Sequence, residues 1–360
     1  MTKTANKGEW SELYVLFKLL GEKKLYAGDG ELNRIGNLFY PILKVLRNEQ
    51  DIHYEYVLDG EIIIISEDGK ELLRKPVADF LKKANTLLDI IHKEKGTFAI
   101  PEIEQFMSEI HCNKIKAGSK QKKDITIVIH DLRTGMTPTL GFSIKSQIGG
   151  NSTLFNAGKT TNFTFTIMGH NFTDTEIEAI NSIGTSSKIR DRIKKIKELG
   201  GMFCFDMMDD AICQNNFILI DSWLPLIMAN ILVESNRGDT KDLKALTEHV
   251  STENPLNYDT TYNQHFYAHK VKNFLVATAL GMVPHTPWNG TYQANGGYLV
   301  VKADGDVLCY HFYDRNLFED YLYCNTKLET ASSSRYGFGK LYKDETNRLS
   351  FKLNLQVRFK

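Results

Sequence analysis

An aspartate and a lysine lie near the two ends of the segment DITIVIHDLRTGMTPTLGFSIKSQ, which runs from Asp124 to Gln147. Ile125–Ile129 is rich in β-branched residues and Leu140–Ile148 alternates apolar with polar side chains, so the segment predicts a β-hairpin. With the turn centred between Arg133 and Pro138, antiparallel pairing would place Asp124 opposite Gln147 and near Lys145, and Asp131 opposite Leu140. Metal-dependent hydrolysis of a phosphodiester needs a carboxylate to hold the ion and a cation to position the attacking water. The spacing therefore predicts a metal-dependent nuclease site.

One usual member of such a site is missing, because Ser143 stands two residues before Lys145, where an acid is expected. A single carboxylate would hold a metal weakly, so another element must supply the second acid. Glu12, beside the apolar stripe of the first predicted helix, is the best candidate. Glu9 is the alternative, although it could instead stabilise the helix N-terminus electrostatically. An ordinary hairpin with polar residues on its solvent face is the simpler interpretation of Asp124 and Lys145.

A polar loop, GGNSTLFNAGKTTNF, follows the hairpin and contains a fragment of a phosphate-binding motif. Gly158-Lys159-Thr160 matches the end of a P-loop, but Thr153 stands where that motif requires its first glycine. A nucleoside triphosphatase is therefore the disfavoured alternative. The asparagine, threonine and lysine content better suits a loop that contacts DNA. The candidate residues are Asn156, Lys159, Thr160 and Asn162.

Two further segments carry side chains that suit phosphates or bases. The predicted helix Ser187–Leu199 is dense in lysine and arginine, and Arg190 and Lys194 are its candidate phosphate contacts. A solvated surface helix explains the same charges equally well. A polar loop precedes the last predicted hairpin, and an arginine there could read guanine in the major groove. Its candidate residues are Ser333, Ser334 and Arg335.

The composition fits a large folded protein with a local basic surface. Of the 360 residues, 42% are hydrophobic, which is ample for a core and argues against bulk disorder. The formal net charge is zero, which excludes nucleic-acid binding through overall charge alone. Residues 111–200 nevertheless carry 14 Lys and Arg against 7 Asp and Glu, and this excess suits a polyanionic ligand.

Cysteine usage and hydropathy indicate the compartment. The 5 cysteines are odd in number and lack CxxC spacing, which argues against a disulfide framework and a zinc site. No apolar run approaches the roughly 18 residues of a membrane span, and the N-terminus MTKTANKGEW lacks the apolar core of a signal peptide. We therefore expect a soluble protein of the reducing cytoplasm.

Helices and strands that alternate along the chain must position these residues, which predicts an α/β (α+β) fold. Helices are predicted over Glu9–Leu20, Leu38–Arg47, Val77–Lys93, Pro101–Ile110, Asp174–Ile183, Ser187–Leu199 and Ile218–Val233. Gly21 is the predicted stop of the first helix, and the strongly apolar last one, around Trp223, is expected to be buried. Strand pairs are predicted at Tyr54–Leu58 with Glu61–Ser66, Tyr298–Lys302 with Val307–Phe312, and Tyr336–Tyr342 with Leu349–Phe359, and a further strand at Phe163–Met168. A composition shift near Gly200-Gly201 predicts a catalytic region at 1–200 and a β-rich C-terminal region at 201–360 that contributes to recognition.

Five blocks of the sequence together resemble the HpaII-type family of type II restriction endonucleases, over nearly the whole chain. The blocks are KGEWSELYVLFKLL, KKDITIVIHD, LGFSIKSQIGGNSTLFNAGKTTNF, KLETASSSRYGFGKLYKDE and LNLQVRF. The resemblance implies a PD-(D/E)xK nuclease core, in which helices flank a mixed β-sheet and Mg²⁺ is the cofactor. It also implies sequence-specific cleavage of duplex DNA at CCGG that leaves 5′-phosphates.

The resemblance also assigns the residues of the family motif. The acid falls on Asp124 rather than Asp131, and the lysine falls on Lys145. Gln147 belongs to the same motif as a metal-side or supporting group. Ser143, which is also a candidate catalytic residue, stands where the broader superfamily has an acid. The identity of the second carboxylate and the number of metals therefore stay open.

Our hypothesis is a Mg²⁺-dependent restriction endonuclease. Asp124, Glu12 and the backbone carbonyl of Ile144 ligate the metal, and Lys145 orients the water. The alternative is a catalytically inactive DNA-binding protein in which Ser143 marks a lost active site. A cognate DNA methyltransferase is the expected functional partner. A palindromic site favours a two-fold homodimer, and a monomer that cuts one strand at a time is the other arrangement.

Overall fold

The structure is a computed structural model that describes residues 3–49, 52–115, 123–238 and 240–360. Within these ranges the chain forms 11 α-helices and 18 strands, which confirms the predicted mixture of helix and sheet. Part of the basic stretch that precedes Asp124, including Lys116, Lys120 and Lys122, lies outside the described residues.

The helices are α1 (Lys7–Glu22), α2 (Val77–Lys93), α3 (Pro101–Glu109), α4 (Asp174–Ser182), α5 (Lys188–Glu198), α6 (Ala211–Ile220), α7 (Leu224–Ser235), α8 (Leu243–Glu253), α9 (Phe266–Leu280), α10 (Arg315–Cys324) and α11 (Ser333–Tyr336). The strands are β1 (Thr4–Asn6), β2 (Lys24–Gly28), β3 (Arg34–Glu49), β4 (Ile52–Asp59), β5 (Ile62–Glu67), β6 (Lys70–Pro76), β7 (Thr97–Ala99), β8 (Ile125–Ile129), β9 (Thr139–Ser146), β10 (Thr153–Phe155), β11 (Asn162–Met168), β12 (Met202–Met208), β13 (Gly297–Val301), β14 (Val307–His311), β15 (Thr326–Leu328), β16 (Leu341–Lys343), β17 (Leu349–Asn354) and β18 (Val357–Phe359).

The chain divides into two compact units. The first comprises Met1–Ser152 and Tyr292–Tyr321, and the second comprises Thr153–Thr291 and Leu322–Lys360. Gly200-Gly201, the predicted boundary, lies inside the second unit between α5 and β12. The candidate nuclease residues all belong to the first unit, whereas the candidate DNA contacts all belong to the second.

The first unit is built on a sheet of nine strands in the order β2-β14-β13-β9-β8-β3-β4-β5-β6. The sheet is mixed, because β9 runs parallel to β13 and β2 runs parallel to β14. The long strand β3 pairs with β2 through its first half and with β4 and β8 through its second half. The apolar faces of α1, α2 and α3 share one buried core with this sheet.

Helix α1 buries its apolar stripe as predicted, but its ends differ from the prediction. Asn6 is the N-cap, and its side chain and that of Glu9 form a reciprocal capping box. Gly21, the predicted stop, lies instead within the helix. Helix α2 packs closely there, and a Cβ on Gly21 would lie 2.9 Å from the Cβ of Leu81. The helix closes instead at Lys23, which adopts the left-handed conformation with φ 61°.

The prediction of a helix at Leu38–Arg47 is wrong, because this segment is the centre of β3. Pro41 lacks the amide hydrogen that a helix interior requires, and its ring would clash with the preceding turn. The strand instead buries Tyr40, Ile42 and Val45. Apolar residues at these spacings suit a strand or a helix, so periodicity alone did not separate the two.

Ile218–Val233 is not one buried helix but the end of α6 and most of α7. Asp221 accepts a hydrogen bond of 2.9 Å from the Trp223 amide, and Pro225 begins the new helix, where no backbone hydrogen bond is lost. Trp223, expected in the core, is 54% exposed. No single described helix has the length and apolarity of a membrane span. Helices α6 and α7 reach them only as a pair, which is bent by 107°.

The second unit contains the antiparallel sheets β12-β11-β17-β16 and β10-β18-β15. The last predicted hairpin is divided, because Leu349–Phe359 forms β17 in one sheet and β18 in the other, and Tyr336 belongs to α11. Helices α6 to α9 precede β13, so the region 201–360 is β-rich only in its last part. The other predicted helices and strand pairs are confirmed with small shifts of their ends.

Candidate active site

The predicted hairpin exists as β8 and β9, but in a different register. Ile125 pairs with Phe142 and Ile127 with Leu140, so Asp124 lies level with Ser143 rather than with Gln147. The predicted pairing of Asp131 with Leu140 is wrong for the same reason. The chain turns earlier than expected, because the amide of Asp131 donates to Met136 and its carbonyl accepts from Gly135.

The carboxylate of Asp124 is held by the neighbouring strand. Its Oδ2 accepts a hydrogen bond of 3.0 Å from the Ser143 hydroxyl and one of 2.7 Å from the Ile144 amide. The Asp124 amide donates to the Phe142 carbonyl at 2.7 Å, which fixes the main chain as well. Among the described residues, Oδ1 of Asp124 has no hydrogen-bond donor. One oxygen therefore anchors the carboxylate and the other stays available to a ligand.

Lys145 lies on β9 on the same face as Ser143. The parallel strand β13 places Tyr298 beside Ser143, and the Lys145 ammonium lies 5.2 Å from the centre of the buried Tyr298 ring. A cation over an aromatic face is stabilised by the ring quadrupole. Burial lowers the pKa of Lys145, and the negative charges of Asp124 and Glu12 oppose this shift. Both acids therefore lie within electrostatic reach of the lysine.

Helix α1 brings Glu12 to this site through a contact between two serines. The hydroxyls of Ser11 and Ser146 lie 2.9 Å apart. Ser11 precedes Glu12 and Ser146 follows Lys145, so this hydrogen bond joins the helix to the end of β9 beside the lysine. Glu9, the alternative acid, caps the helix: its Oε2 accepts from the Asn6 amide at 2.9 Å, and its own amide donates to Oδ1 of Asn6 at 3.0 Å.

The remaining predicted residues lie at the end of β9. Ile144 has a buried side chain, and its main chain lies against the Asp124 carboxylate. Gln147 follows the strand, is exposed, and donates its amide to the Val301 carbonyl at 2.8 Å. Tyr298 was not predicted, because the pairing of β9 with β13 joins segments that are distant in the chain and leaves no local signal.

In the second unit the candidate DNA contacts border three cavities around α11. Lys159, Thr160 and Asn162 line a cavity of about 380 Å³ together with Tyr336 and Lys352. Ser333 and Ser334 line two others, of about 450 and 460 Å³, the first of which also includes Arg190. The Arg335 guanidinium lies 5.4 Å from the centre of the Tyr336 ring.

Three of the candidate DNA contacts, Asn162, Lys194 and Asn156, have different surroundings from the rest. The Asn162 side chain is buried, donates to the Tyr336 carbonyl at 2.9 Å and accepts from Asn354 at 2.8 Å, so it holds α11 in place. Lys194 is exposed and lies 4.0 Å from Glu198. Asn156 is exposed and borders none of these three cavities.

A separate group of possible metal ligands lies in the second unit. Ligand atoms of Glu234, His249 and Glu253 all lie within 4.8 Å of one another. Arg237 contacts both carboxylates, at 3.1 and 3.4 Å, and offsets part of their negative charge. We therefore interpret this group as an ion-pair cluster.

The comparisons with known proteins agree with the resemblance noted above. A sequence model described as HpaII restriction endonuclease matches residues 6–359. The chain belongs to the HpaII restriction endonuclease family. A relative in that family, the type II restriction enzyme HpaII of Haemophilus parainfluenzae, is 46% identical over 361 residues, which cover 99% of this chain and 98% of that protein. Membership of the family confirms the prediction of a restriction endonuclease that acts on double-stranded DNA. No solved structure matches the chain significantly.

Proposed function

We propose that this member of the HpaII family hydrolyses DNA phosphodiesters with Mg²⁺ at CCGG and leaves 5′-phosphates. The observation that carries the proposal is the convergence of Asp124 and Lys145, from the β8–β9 hairpin, with Glu12, from a helix that is distant in sequence. The resemblance to HpaII-type enzymes supports CCGG as the target.

The acidic residues of the site suit a hard divalent cation. Mg²⁺ prefers oxygen ligands and is usually held by one or two carboxylates together with the phosphates of the substrate. Asp124 offers Oδ1, which has no donor among the described residues, while its Oδ2 is fixed by Ser143 and Ile144. Glu12 is the proposed second carboxylate, and the Ile144 carbonyl is the proposed main-chain ligand. When bound, Mg²⁺ would polarise the scissile phosphate and favour ionisation of the attacking water.

Lys145 has the role of orienting that water and the phosphate. Its ammonium is partly removed from solvent and held over the Tyr298 ring, so its direction is constrained before the substrate arrives. A charge in such surroundings interacts more strongly with a developing negative charge than a hydrated surface charge does. Gln147, exposed just beyond the strand, would support the metal or the phosphate from the solvent side.

The architecture of the first unit supports a PD-(D/E)xK core. A mixed sheet carries the acid on one strand and the lysine on the next, and a helix packed on the sheet brings the additional glutamate. Ser143 departs from the superfamily pattern, but it holds the Asp124 carboxylate instead of leaving it without support. This contact favours a working nuclease over the alternative of an inactive DNA-binding protein.

We further propose that the second unit recognises the DNA. Its candidate contacts are Lys159, Thr160, Arg190, Ser333, Ser334 and Arg335, which lie around α11. An enzyme that cuts CCGG would also cut the DNA of its own cell, so it is expected to work in the cytoplasm beside a cognate DNA methyltransferase. A two-fold dimer would match a palindromic site.

End mapping tests the proposed specificity. Purified protein is incubated with DNA of known sequence in Mg²⁺ or in EDTA, and the ends are sequenced and ligated. Cuts at every CCGG, dependent on Mg²⁺ and ligatable through a 5′-phosphate, are expected. Cuts at other sequences would contradict the proposed target, and DNA binding without cutting would indicate the inactive alternative.

A further inference from the structure

A cavity of about 450 Å³ in the second unit is lined by cations and hydroxyls. The start of α5 contributes Lys188 and Arg190, the segment after α7 contributes Lys241, and Ser332–Ser334 complete the wall. None of the described residues that line this cavity carries a carboxylate. We call it the basic pocket. Such a wall has the composition of a site for an anion rather than for a cation or an apolar ligand.

The fold fixes Lys241 at one edge of the basic pocket. Its carbonyl accepts a hydrogen bond of 2.8 Å from the Leu328 amide, which ties the residue to β15 just before Ser332–Ser334. Its ammonium donates to the Ser235 carbonyl at 2.6 Å. Lys241 therefore remains beside the serines, and its position does not depend on a flexible surface side chain.

The charges in the basic pocket are not balanced by its own wall. Burial lowers the pKa of Lys241, and the positive charge of Arg190 lowers it further, so the two cations oppose each other. The Lys188 ammonium forms no hydrogen bond or ion pair with any residue that the structure describes. Lys194, farther along the same helix, lies instead near Glu198. An anion bound beside Lys188 and Lys241 would offset their positive charges.

A neighbouring cavity extends the same chemistry. It shares Lys188, Ser333 and Ser334 with the basic pocket, adds Lys340, and has no carboxylate among its described lining residues. Lys352 also lines it, but its ammonium is paired with Asp209 at 2.6 Å. Two adjoining cavities of this kind suit a polymer with regularly spaced negative charges better than a single small anion. Arg335 and Tyr336 lie in the same short helix and could then face the bases.

The geometry points to the basic pocket as a binding site for a backbone phosphate of the DNA, with Lys188 and Lys241 as the phosphate ligands. The inference rests on the proposed DNA-cleaving function and adds to it how the second unit holds the strand. Contacts to phosphate fix the register of a protein on DNA and carry no sequence preference of their own.

The test compares Lys188→Gln and Lys241→Gln with Lys195→Gln, a matched change at an exposed residue of α5 outside the pocket. Binding to a CCGG duplex and to a scrambled duplex is measured in EDTA over a range of salt concentrations. Each pocket variant should bind both duplexes about tenfold more weakly at moderate salt, and the slope of log affinity against log salt should fall by about one. Lys195→Gln should behave as the wild type.

Three results separate the explanations. Pocket variants that match Lys195→Gln would overturn the phosphate site, as would a loss confined to the CCGG duplex, which would indicate a base contact. Wild-type protein that neither binds nor cuts DNA would overturn the proposed function itself. Lys188→Gln guards against misfolding, because the Lys188 side chain bonds to no described residue, whereas the Lys241 ammonium also donates to the Ser235 carbonyl. A thermal midpoint equal to that of the wild type is the check.

Discussion

The Ser143 hydroxyl donates a 3.0 Å hydrogen bond to Oδ2 of Asp124, at the position where the pattern of the proposed PD-(D/E)xK core would have a second acid. A carboxylate at 143 would face Asp124 at contact distance, and the two negative charges would repel each other. A hydroxyl there stabilises the charged form of Asp124 instead. Glu12 on α1 is the proposed source of the additional acid.

Replacing Ser143 with alanine removes one of the two donors to Asp124 and should slow cleavage. A neutral donor to a carboxylate contributes on the order of 1 kcal/mol, so we expect a loss of about five- to tenfold in the single-turnover rate. The Ile144 amide still holds the carboxylate, so activity should not vanish. An unchanged rate would show that the Ser143 contact has no part in the reaction.

Glu12→Gln should raise the Mg²⁺ concentration needed for half-maximal cleavage by at least about tenfold, because a neutral amide replaces a proposed metal ligand. Glu9→Gln is the matched control on the same helix, since glutamine preserves the capping box with Asn6. Mg²⁺ titrations of the cleavage rate measure both. Equal titration curves for the two variants would remove Glu12 from the metal site.

We expect the aromatic ring of Tyr298 to support cleavage, because the Lys145 ammonium lies 5.2 Å from the ring centre. Tyr298→Phe keeps an aromatic face, whereas Tyr298→Leu removes it. A cation–π contact at a desolvated site contributes about 2 kcal/mol, so the leucine variant should cleave at least tenfold more slowly than the phenylalanine variant. Similar rates for the two would mean that Lys145 does not depend on the ring.

His311 should make the first unit less stable in mild acid. Burial lowers the pKa of His311 to about 4 from an ordinary value of 6.5. The unfolded chain therefore binds the proton more strongly, so the stability is present above about pH 6.5 and is lost as the pH falls towards 4. The free energy of unfolding should fall by on the order of 3 kcal/mol over this pH range.

The measurement for His311 is the free energy of unfolding by urea between pH 7 and pH 4. His311→Phe suits the aromatic surroundings of Tyr40 and Phe142 and cannot be protonated. Its stability should fall less steeply over this pH range than that of the wild type. Parallel pH profiles would assign the acid sensitivity to other groups.

Elements with local signals were predicted well from the sequence. Val77–Lys93 matches α2 at both ends, since Pro76 precedes the helix and the apolar spacing is regular. The turn at Asp59-Gly60 joins β4 and β5 as expected, with Gly60 at φ 58°. Elements whose conformation depends on their neighbours in the fold were not predicted well. An example is β3, whose apolar pattern is ambiguous and which is a strand because it pairs with strands on both sides.

The same distinction applies to the site. The hairpin and its two charged residues follow from local alternation, although the turn, and with it the register, was placed too late. The contact of Ser11 with Ser146, and that of Tyr298 with Lys145, join segments that no short-range pattern relates. Glu12 was found only because the chemistry of a metal site requires a second acid.

Cleavage of a CCGG-containing duplex by Lys145→Ala, under single-turnover conditions with saturating Mg²⁺, tests the account most directly. The variant should bind the duplex as the wild type does and cleave it about a hundredfold more slowly or worse, since it lacks the cation that orients the water. Cleavage at the wild-type rate would contradict the proposed mechanism.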